Sequence, residues 1–168
     1  MKRILMLLLV FGTFQLVSAQ QMTNQKLETI LTKVTDTVNG YPGYWEVVYK
    51  ERELLCLTDE GNNRMRIITP IVEQGALGEE LLLDALTANF HAALDVKYAL
   101  SQGYLWSVYI HPLKELSEYE VKSAVDQVVN AANNFGTTFS STDMIFGGKK
   151  SAKTEETAPA EKPVIQQL

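Results

Sequence analysis

The residues that could do nucleophilic, acid–base or metal chemistry are few in this chain. Cys56 is the only cysteine, and His91 and His111 are the only two histidines. A catalytic thiol needs a neighbouring base that stabilises its thiolate. Cys56 instead lies inside the apolar run 54–57, and an apolar environment raises the pKa of a thiol. The sequence therefore predicts that Cys56 is a packing residue.

The sequence also offers few residues that could bind a metal ion or a cofactor. A zinc site takes three or four converging ligands, whereas His91 has no histidine or glutamate partner at helical spacing and His111 precedes a proline. The acidic segment 59–63 lacks the alternating carboxylates of a calcium loop, so it predicts a hairpin turn. The sequence contains no phosphate-binding loop, dinucleotide fingerprint or nucleophile elbow. We therefore expect no enzymatic activity, no metal site and no cofactor.

Aromatic side chains are more informative, because they are concentrated on predicted strands. A sheet with helices on one face leaves its other face for a partner or for a second copy of the chain. Alternation places aromatics on both faces, with Tyr104 and Trp106 opposite Tyr109. We expect Trp106 to be largely buried. The aromatics predicted for a partner-binding sheet face are Tyr44, Trp45, Tyr49, Tyr98 and Tyr109.

Hydrophobic periodicity predicts the elements that position these residues. Apolar residues recur at helical spacing over three segments, 22–38, 79–93 and 121–135. Asn39-Gly40 is predicted to end the first helix, and 41–43 to form a turn. Alternating or β-branched runs predict five strands, at 44–50, 53–58, 64–72, 96–100 and 104–110. The order helix-β-β-β-helix-β-β-helix predicts an α+β fold, with an antiparallel five-stranded sheet and helices packed mainly on one face.

Three local signals refine this interpretation. Pro70 cannot donate a hydrogen bond to a neighbouring strand, so its strand should lie at a sheet edge or contain a bulge. The inward stripe of the second helix is expected to comprise Leu82, Ala85, Leu86, Asn89, Phe90 and Ala93. Ser117 and Glu120 form a capping box that begins the third helix.

The first residues have the three parts of a secretory leader. Lys2 and Arg3 precede an apolar run over 4–14, and 17–19 supplies the small residues of a cleavage site. The apolar run is shorter than the ~20 residues that span a bilayer. We therefore expect a cleaved signal peptide over 1–19, export to the periplasm or the cell exterior, and no stable membrane insertion after cleavage.

Composition separates a folded domain from a C-terminal tail. Residues 147–168 are rich in Lys, Glu and Pro and lack apolar periodicity, which predicts a disordered tail after a domain over 22–146. The net charge of −5 disfavours binding to nucleic acid or to an anionic membrane surface. A single cysteine allows no internal disulfide, so the packed core must supply the stability.

Several motifs in the middle of the chain resemble those of YbjN-type proteins. They are Asn89-Phe90, Asp95-Val96-Lys97-Tyr98-Ala99-Leu100, Gly103-Tyr104-Leu105-Trp106, His111-Pro112-Leu113 and Phe139-Ser140-Ser141-Thr142. The resemblance covers about 25–142. It implies the fold of type III secretion chaperones, frequent dimerisation and binding of other polypeptides. Because those chaperones work in the cytoplasm, the predicted leader argues against a role in chaperoning secreted effectors.

The sequence thus favours a non-catalytic, chaperone-like module that binds a polypeptide or a second copy of itself. The alternative is a small-molecule-binding or enzymatic domain with a cystatin-like curved sheet. A cystatin-like fold usually gathers its strands after the opening helix, whereas here a helix separates three strands from two.

Overall fold

A computed structural model describes residues 21–144 of the chain. The predicted leader over 1–19 and the predicted tail over 147–168 lie outside the described residues. The described helices are α1 (Asn24–Val34), α2 (Glu79–His91) and α3 (Glu118–Asn133). The described strands are β1 (Thr37–Tyr41), β2 (Tyr44–Tyr49), β3 (Arg52–Asp59), β4 (Arg64–Glu73), β5 (Val96–Ser101) and β6 (Tyr104–His111).

The strands form one antiparallel sheet in the order β1-β2-β3-β4-β6-β5. The predicted α+β fold and the antiparallel sheet are confirmed. The predicted count of five strands is wrong, because the described residues form six. None of the described helices is long and apolar enough to cross a bilayer.

The extra strand is β1, which the sequence analysis assigned to the first helix and a turn. Val38 continues the helical spacing of apolar residues, but α1 ends at Val34, where Thr35 is the extended C-cap. Gly40 was read as part of a helix stop, but it is a strand residue with φ +137°. A Cβ at Gly40 would lie 2.2 Å from the Tyr44 carbonyl oxygen, so only glycine allows β1 to pair closely with β2.

The prediction for Pro70, either an edge strand or a bulge, is confirmed by a bulge. The register of β4 against β6 shifts between Pro70 and Val72, so the bulge is present. The strand is not at an edge, since β4 lies between β3 and β6. The bulge lets a central strand accommodate a residue that lacks a backbone N–H.

Helix α3 covers one face of the sheet and builds the core with it. The predicted capping box is present: the Ser117 hydroxyl accepts from the Glu120 N–H at 3.2 Å, and the Glu120 carboxylate accepts from the Ser117 N–H at 2.6 Å. Eight residues of α3 are buried, namely Val121, Ala124, Val125, Gln127, Val128, Val129, Ala131 and Ala132.

Two buried hydroxyls bind α3 to the strands below it. The Tyr98 hydroxyl donates to the Ala131 carbonyl at 2.8 Å, and the Ser107 hydroxyl donates to the Val128 carbonyl at 2.9 Å. Both carbonyls belong to the helix backbone, so these bonds fix the height and rotation of α3 over β5 and β6.

The face of helix α2 that packs on the domain is rotated from the predicted one, although it shares Ala85 with it. Its buried residues are Ala85 and Ala88, whereas Leu86 and Phe90 are exposed. The reason is its contact with the edge strand β5. The Asn89 side chain accepts from the Tyr98 N–H at 2.7 Å and donates to the Tyr98 carbonyl at 3.2 Å, as a neighbouring strand would. Small alanines allow this close approach.

We expect Tyr98→Phe to lower the free energy of unfolding by about 1–2 kcal/mol, because it leaves the buried Ala131 carbonyl without its donor. Urea denaturation followed by tryptophan fluorescence measures the change. Tyr119→Phe is the matched control, since that side chain is 80% exposed. Equal midpoints for the two variants would contradict the role of this bond.

Candidate functional site

The five aromatics predicted for a partner-binding face do not share one accessible face. Trp45, Tyr98 and Tyr109 are at most 5% exposed and belong to the core between the sheet and the helices. Tyr49 lies on the same side, partly buried, and its hydroxyl donates to Asp126 of α3 at 2.8 Å. Tyr44 lies on the opposite face, where its binding to a partner stays a prediction.

Strand register explains this separation. Trp45 pairs with Cys56, Cys56 with Ile67, and Ile67 with Tyr109, so these residues form one row across the sheet. Helix α3 covers that row. The prediction placed Tyr44 and Trp45 in one set, although adjacent residues of a strand point to opposite faces.

The face away from α3 presents a continuous apolar centre. Leu55, Ile68 and Val108 are register partners in one row, and Tyr44 and Leu57 lie in the next. None of these five side chains is buried by another described element. We call this surface, together with Trp106, the open face.

Charged residues border the open face. Glu46 is the register partner of Leu55 on one side, and Lys97 is the partner of Val108 on the other. Arg66 lies between Leu57 and Ile110. An apolar centre with a charged border is the composition of a protein-binding surface.

Trp106 lies on the open face and is not part of the core, which corrects the expectation that it is largely buried. Its side chain is half-buried, and its indole N–H donates to the Ser101 carbonyl at 2.9 Å. The Tyr104 ring contacts it edge-on, with 6.3 Å between centroids. The alternation of β6 was predicted correctly, but the choice of the inward face was not.

Tyr41 extends the open face at the corner of the β1–β2 hairpin. Its ring stacks on that of Tyr44 at 5.8 Å, and it is 65% exposed. The sequence analysis missed Tyr41 because it assigned 41–43 to a turn. The signal that could have found it is Pro42-Gly43 between two tyrosines, because Pro followed by Gly favours a tight turn that can join two paired strands.

A second apolar surface lies on α2. Leu83, Leu86 and Phe90 form one stripe along the helix and are 57%, 64% and 82% exposed. We call this stripe the α2 ridge. It was missed because the predicted inward stripe of α2 included Leu86 and Phe90, whereas the helix is rotated so that these two side chains lie outside.

The residues with possible chemistry stay apart in the described structure. Cys56 is fully buried, and burial raises the pKa of its thiol to about 12. The predicted turn at 59–63 is confirmed, since β3 ends at Asp59 and a carboxylate oxygen of Asp59 accepts from the Asn62 N–H at 2.9 Å. Within residues 21–144, no group of three or more His, Cys, Asp or Glu side chains could hold a metal ion.

Comparison with solved structures identifies the architecture. The Yersinia pestis type III secretion chaperone SycH, in complex with a stable fragment of YscM2, matches with a TM-score of 0.53 and 12% identity, over 67% of this chain and 98% of that chain. The chain has the fold of type III secretion chaperones. No protein-family model and no curated protein matches the sequence.

Two further chaperone-like matches agree with this result. A chain of the HopA1–SchA chaperone–effector complex matches with a TM-score of 0.52 and 14% identity, over 65% of this chain and 88% of that chain. A chain of the ExsC–ExsE complex matches with a TM-score of 0.50 and 12% identity, over 65% of this chain and 90% of that chain. These identities are too low to carry more than the fold.

We expect Cys56 to resist alkylation in the native protein and to react only on unfolding. Burial excludes the reagent and raises the pKa of the thiol to about 12, so the nucleophilic thiolate is scarce while the protein stays folded. Mass spectrometry of iodoacetamide labelling, with and without urea, measures this. Rapid native labelling would restore Cys56 as a candidate nucleophile.

Proposed function

We propose that this protein is a non-catalytic polypeptide-binding module, and that it holds a segment of a partner on the open face. The observation that carries this proposal is the row Leu55, Ile68 and Val108, which stays uncovered in the centre of the sheet. Proteins with this fold occur in complex with polypeptides, including a chaperone–effector complex and a chaperone bound to a fragment of YscM2.

Burial of this row would supply the main binding energy. Removing apolar surface from water contributes about 25 cal/mol of favourable free energy for each Å² buried. Tyr44, Tyr41 and Trp106 add large, rather rigid rings whose polar atoms can still find partners, which is typical of binding hot spots. The uncovered sheet face favours polypeptide binding over the alternative of a cystatin-like domain that encloses a small molecule.

Two finer assignments are also proposals. Membership of the YbjN-type proteins is supported by the motifs within 89–113 and 139–142. Export to the periplasm or the cell exterior is supported by Lys2 and Arg3, the apolar run 4–14 and the small residues at 17–19.

Replacing Leu55, Ile68 and Val108 together by threonine should weaken polypeptide binding at least ~10-fold, because it removes aliphatic area from the centre of the open face. Threonine is β-branched and favours strands, so the strands should still form. The probe is fluorescently labelled α-lactalbumin, reduced and alkylated so that it stays unfolded, and anisotropy measures its affinity. Ile68→Thr alone should give a smaller loss in the same direction.

The matched control replaces Leu83, Leu86 and Phe90 of the α2 ridge by glutamine. It removes the same number of apolar side chains from another surface and keeps helix-forming residues. We expect the affinity for the unfolded probe to stay at the level of the parent protein. A parent protein that does not bind the probe, or a threonine variant that binds equally well, would refute the proposal.

The same control tests self-association. If the α2 ridge joins two copies of the chain, the glutamine variant should have a lower molar mass by light scattering than the parent protein at equal concentration. An unchanged mass would remove the ridge as a dimer interface without affecting the polypeptide-binding proposal.

N-terminal sequencing of the protein recovered from its native host should begin at Gln20 or within a residue or two of it. The small residues at 17 and 19 occupy the −3 and −1 positions of that cleavage. Recovery of intact Met1 on a membrane-bound protein would contradict export by a cleaved leader.

A further inference from the structure

A cleft of about 680 Å³ opens at the end of the sheet where α3 begins. Its walls come from three parts of the chain: the segment leading into β5, the last residues of β6, and the first half of α3. Thr142, Asp143 and Met144 close one side. The cleft is separate from the centre of the open face.

The carboxylates in this cleft outnumber its cationic partners. Asp95, Glu120 and Asp143 line it together with His111, and no lysine or arginine does. The ion pair between Lys50 and Asp126 lies elsewhere on the surface. A backbone hydrogen bond from Ser117 lowers the pKa of Glu120, so that this carboxyl is ionised at neutral pH.

A largely buried tyrosine in the wall of the cleft also has a hydroxyl without a partner. Tyr109 is 5% exposed and lines the cleft, and its hydroxyl makes no hydrogen bond with any described residue. Trp45 Nε1 is the one side-chain nitrogen or oxygen in residues 21–144 that is both sealed from solvent and unpaired. The Tyr109 hydroxyl must therefore open into the cleft.

The chemistry around this hydroxyl favours a positively charged hydrogen-bond donor. Burial, Asp95 and Glu120, in that order, raise the pKa of Tyr109 to about 12, so the phenol stays neutral. Its oxygen can then accept a hydrogen bond beside two carboxylates. An anion would be repelled from this site, and an uncharged group would leave the three carboxylates unpaired.

We propose that this cleft binds the guanidinium group of an arginine side chain on the polypeptide partner. A guanidinium offers five N–H donors in a planar fork, so it can serve the Tyr109 oxygen and more than one carboxylate at once. Only the source of the cation rests on the proposed function; the cation site itself rests on the cleft.

The position of the cleft makes a polypeptide the fitting source. Ile110 lines the cleft, is 57% exposed, and is the register partner of Arg66 in a row of the open face. A chain lying on the open face would therefore pass the mouth of the cleft. Tyr119 and Met144, which are 80% and 58% exposed, stand at its rim and could contact the same chain.

Amide chemical-shift titrations by NMR on the full chain test the site directly. The first probe is a tripeptide, glycine-arginine-glycine, blocked at both ends. The second has citrulline in place of arginine, which has nearly the same shape and no charge. We expect the arginine peptide to shift the amides around Asp95, Tyr109 and Glu120, and the citrulline peptide to bind at least ~10-fold more weakly. Equal binding would overturn the proposal.

Variants locate the binding to the cleft. Asp95→Asn with Glu120→Gln removes two charges but retains oxygen acceptors for Gln127 and the Ser117 N–H. It should weaken arginine-peptide binding at least ~10-fold, and Tyr109→Phe should weaken it several-fold. Glu79→Gln with Asp84→Asn on α2 makes the same change in net charge elsewhere and should have no effect. Losses of equal size in both double variants would overturn the site.

Two further arms decide the source of the cation. Butylguanidinium should bind more weakly than the arginine peptide; if it binds equally well or better, the site takes a free cation and the polypeptide assignment fails.

The triple variant Lys149→Gln, Lys150→Gln and Lys153→Gln should leave the affinity for the arginine peptide unchanged. Tighter binding in that variant would mean that the chain's own lysines compete for the cleft, and would overturn the assignment to a partner. Binding of the unfolded probe to the open face is measured independently of all these outcomes.

Discussion

The packing of α3 against one face of the sheet determines which residues form the core and which remain available. Its buried side chains pack over β4, β5 and β6 and share one core with Trp45, Cys56 and Ile67, and two strand hydroxyls bind its backbone carbonyls. Side chains alternate between the two faces of the sheet. With no second described layer on the face away from α3, the side chains that point to that face remain at the surface. The open face is therefore a direct consequence of where α3 lies.

The alternation of side chains along each strand also explains what could be predicted from the sequence. Alternation and periodicity predicted the α+β class, the antiparallel sheet, the capping box at Ser117 and the turn at 59–63. They did not predict which of the two alternating sets of strand residues points to the core, because β6 carries large apolar residues on both sides, such as Trp106 and Tyr109. That choice depends on the register between distant strands and on the helix above them, and neither is a local property of the sequence.

Helix α2 shows the same limit in another form. Its periodicity allows more than one inward face, and the predicted face included Leu86 and Phe90 together with Ala85 and Asn89. The structure buries the alanines because Asn89 must approach the backbone of Tyr98 closely. This contact closes the β5 edge of the sheet, where an unpaired strand would otherwise promote edge-to-edge association. A polar side chain therefore decides the orientation of an apolar helix.

The open face and the acidic cleft can supply different kinds of binding energy. Burial of Leu55, Ile68 and Val108 is non-directional, so it would accept many sequences and many registers of a bound chain. A guanidinium held by Asp95, Glu120 and Tyr109 would instead fix one residue of that chain at one point, since charged hydrogen bonds are directional and penalise a mispaired partner. Because Ile110 belongs to both surfaces, the fixed point lies within reach of the apolar surface. Affinity would then come mainly from the sheet and register mainly from the cleft. Salt should weaken the second contribution more than the first, because the carboxylates of the cleft are open to solvent and are screened, whereas apolar burial is not.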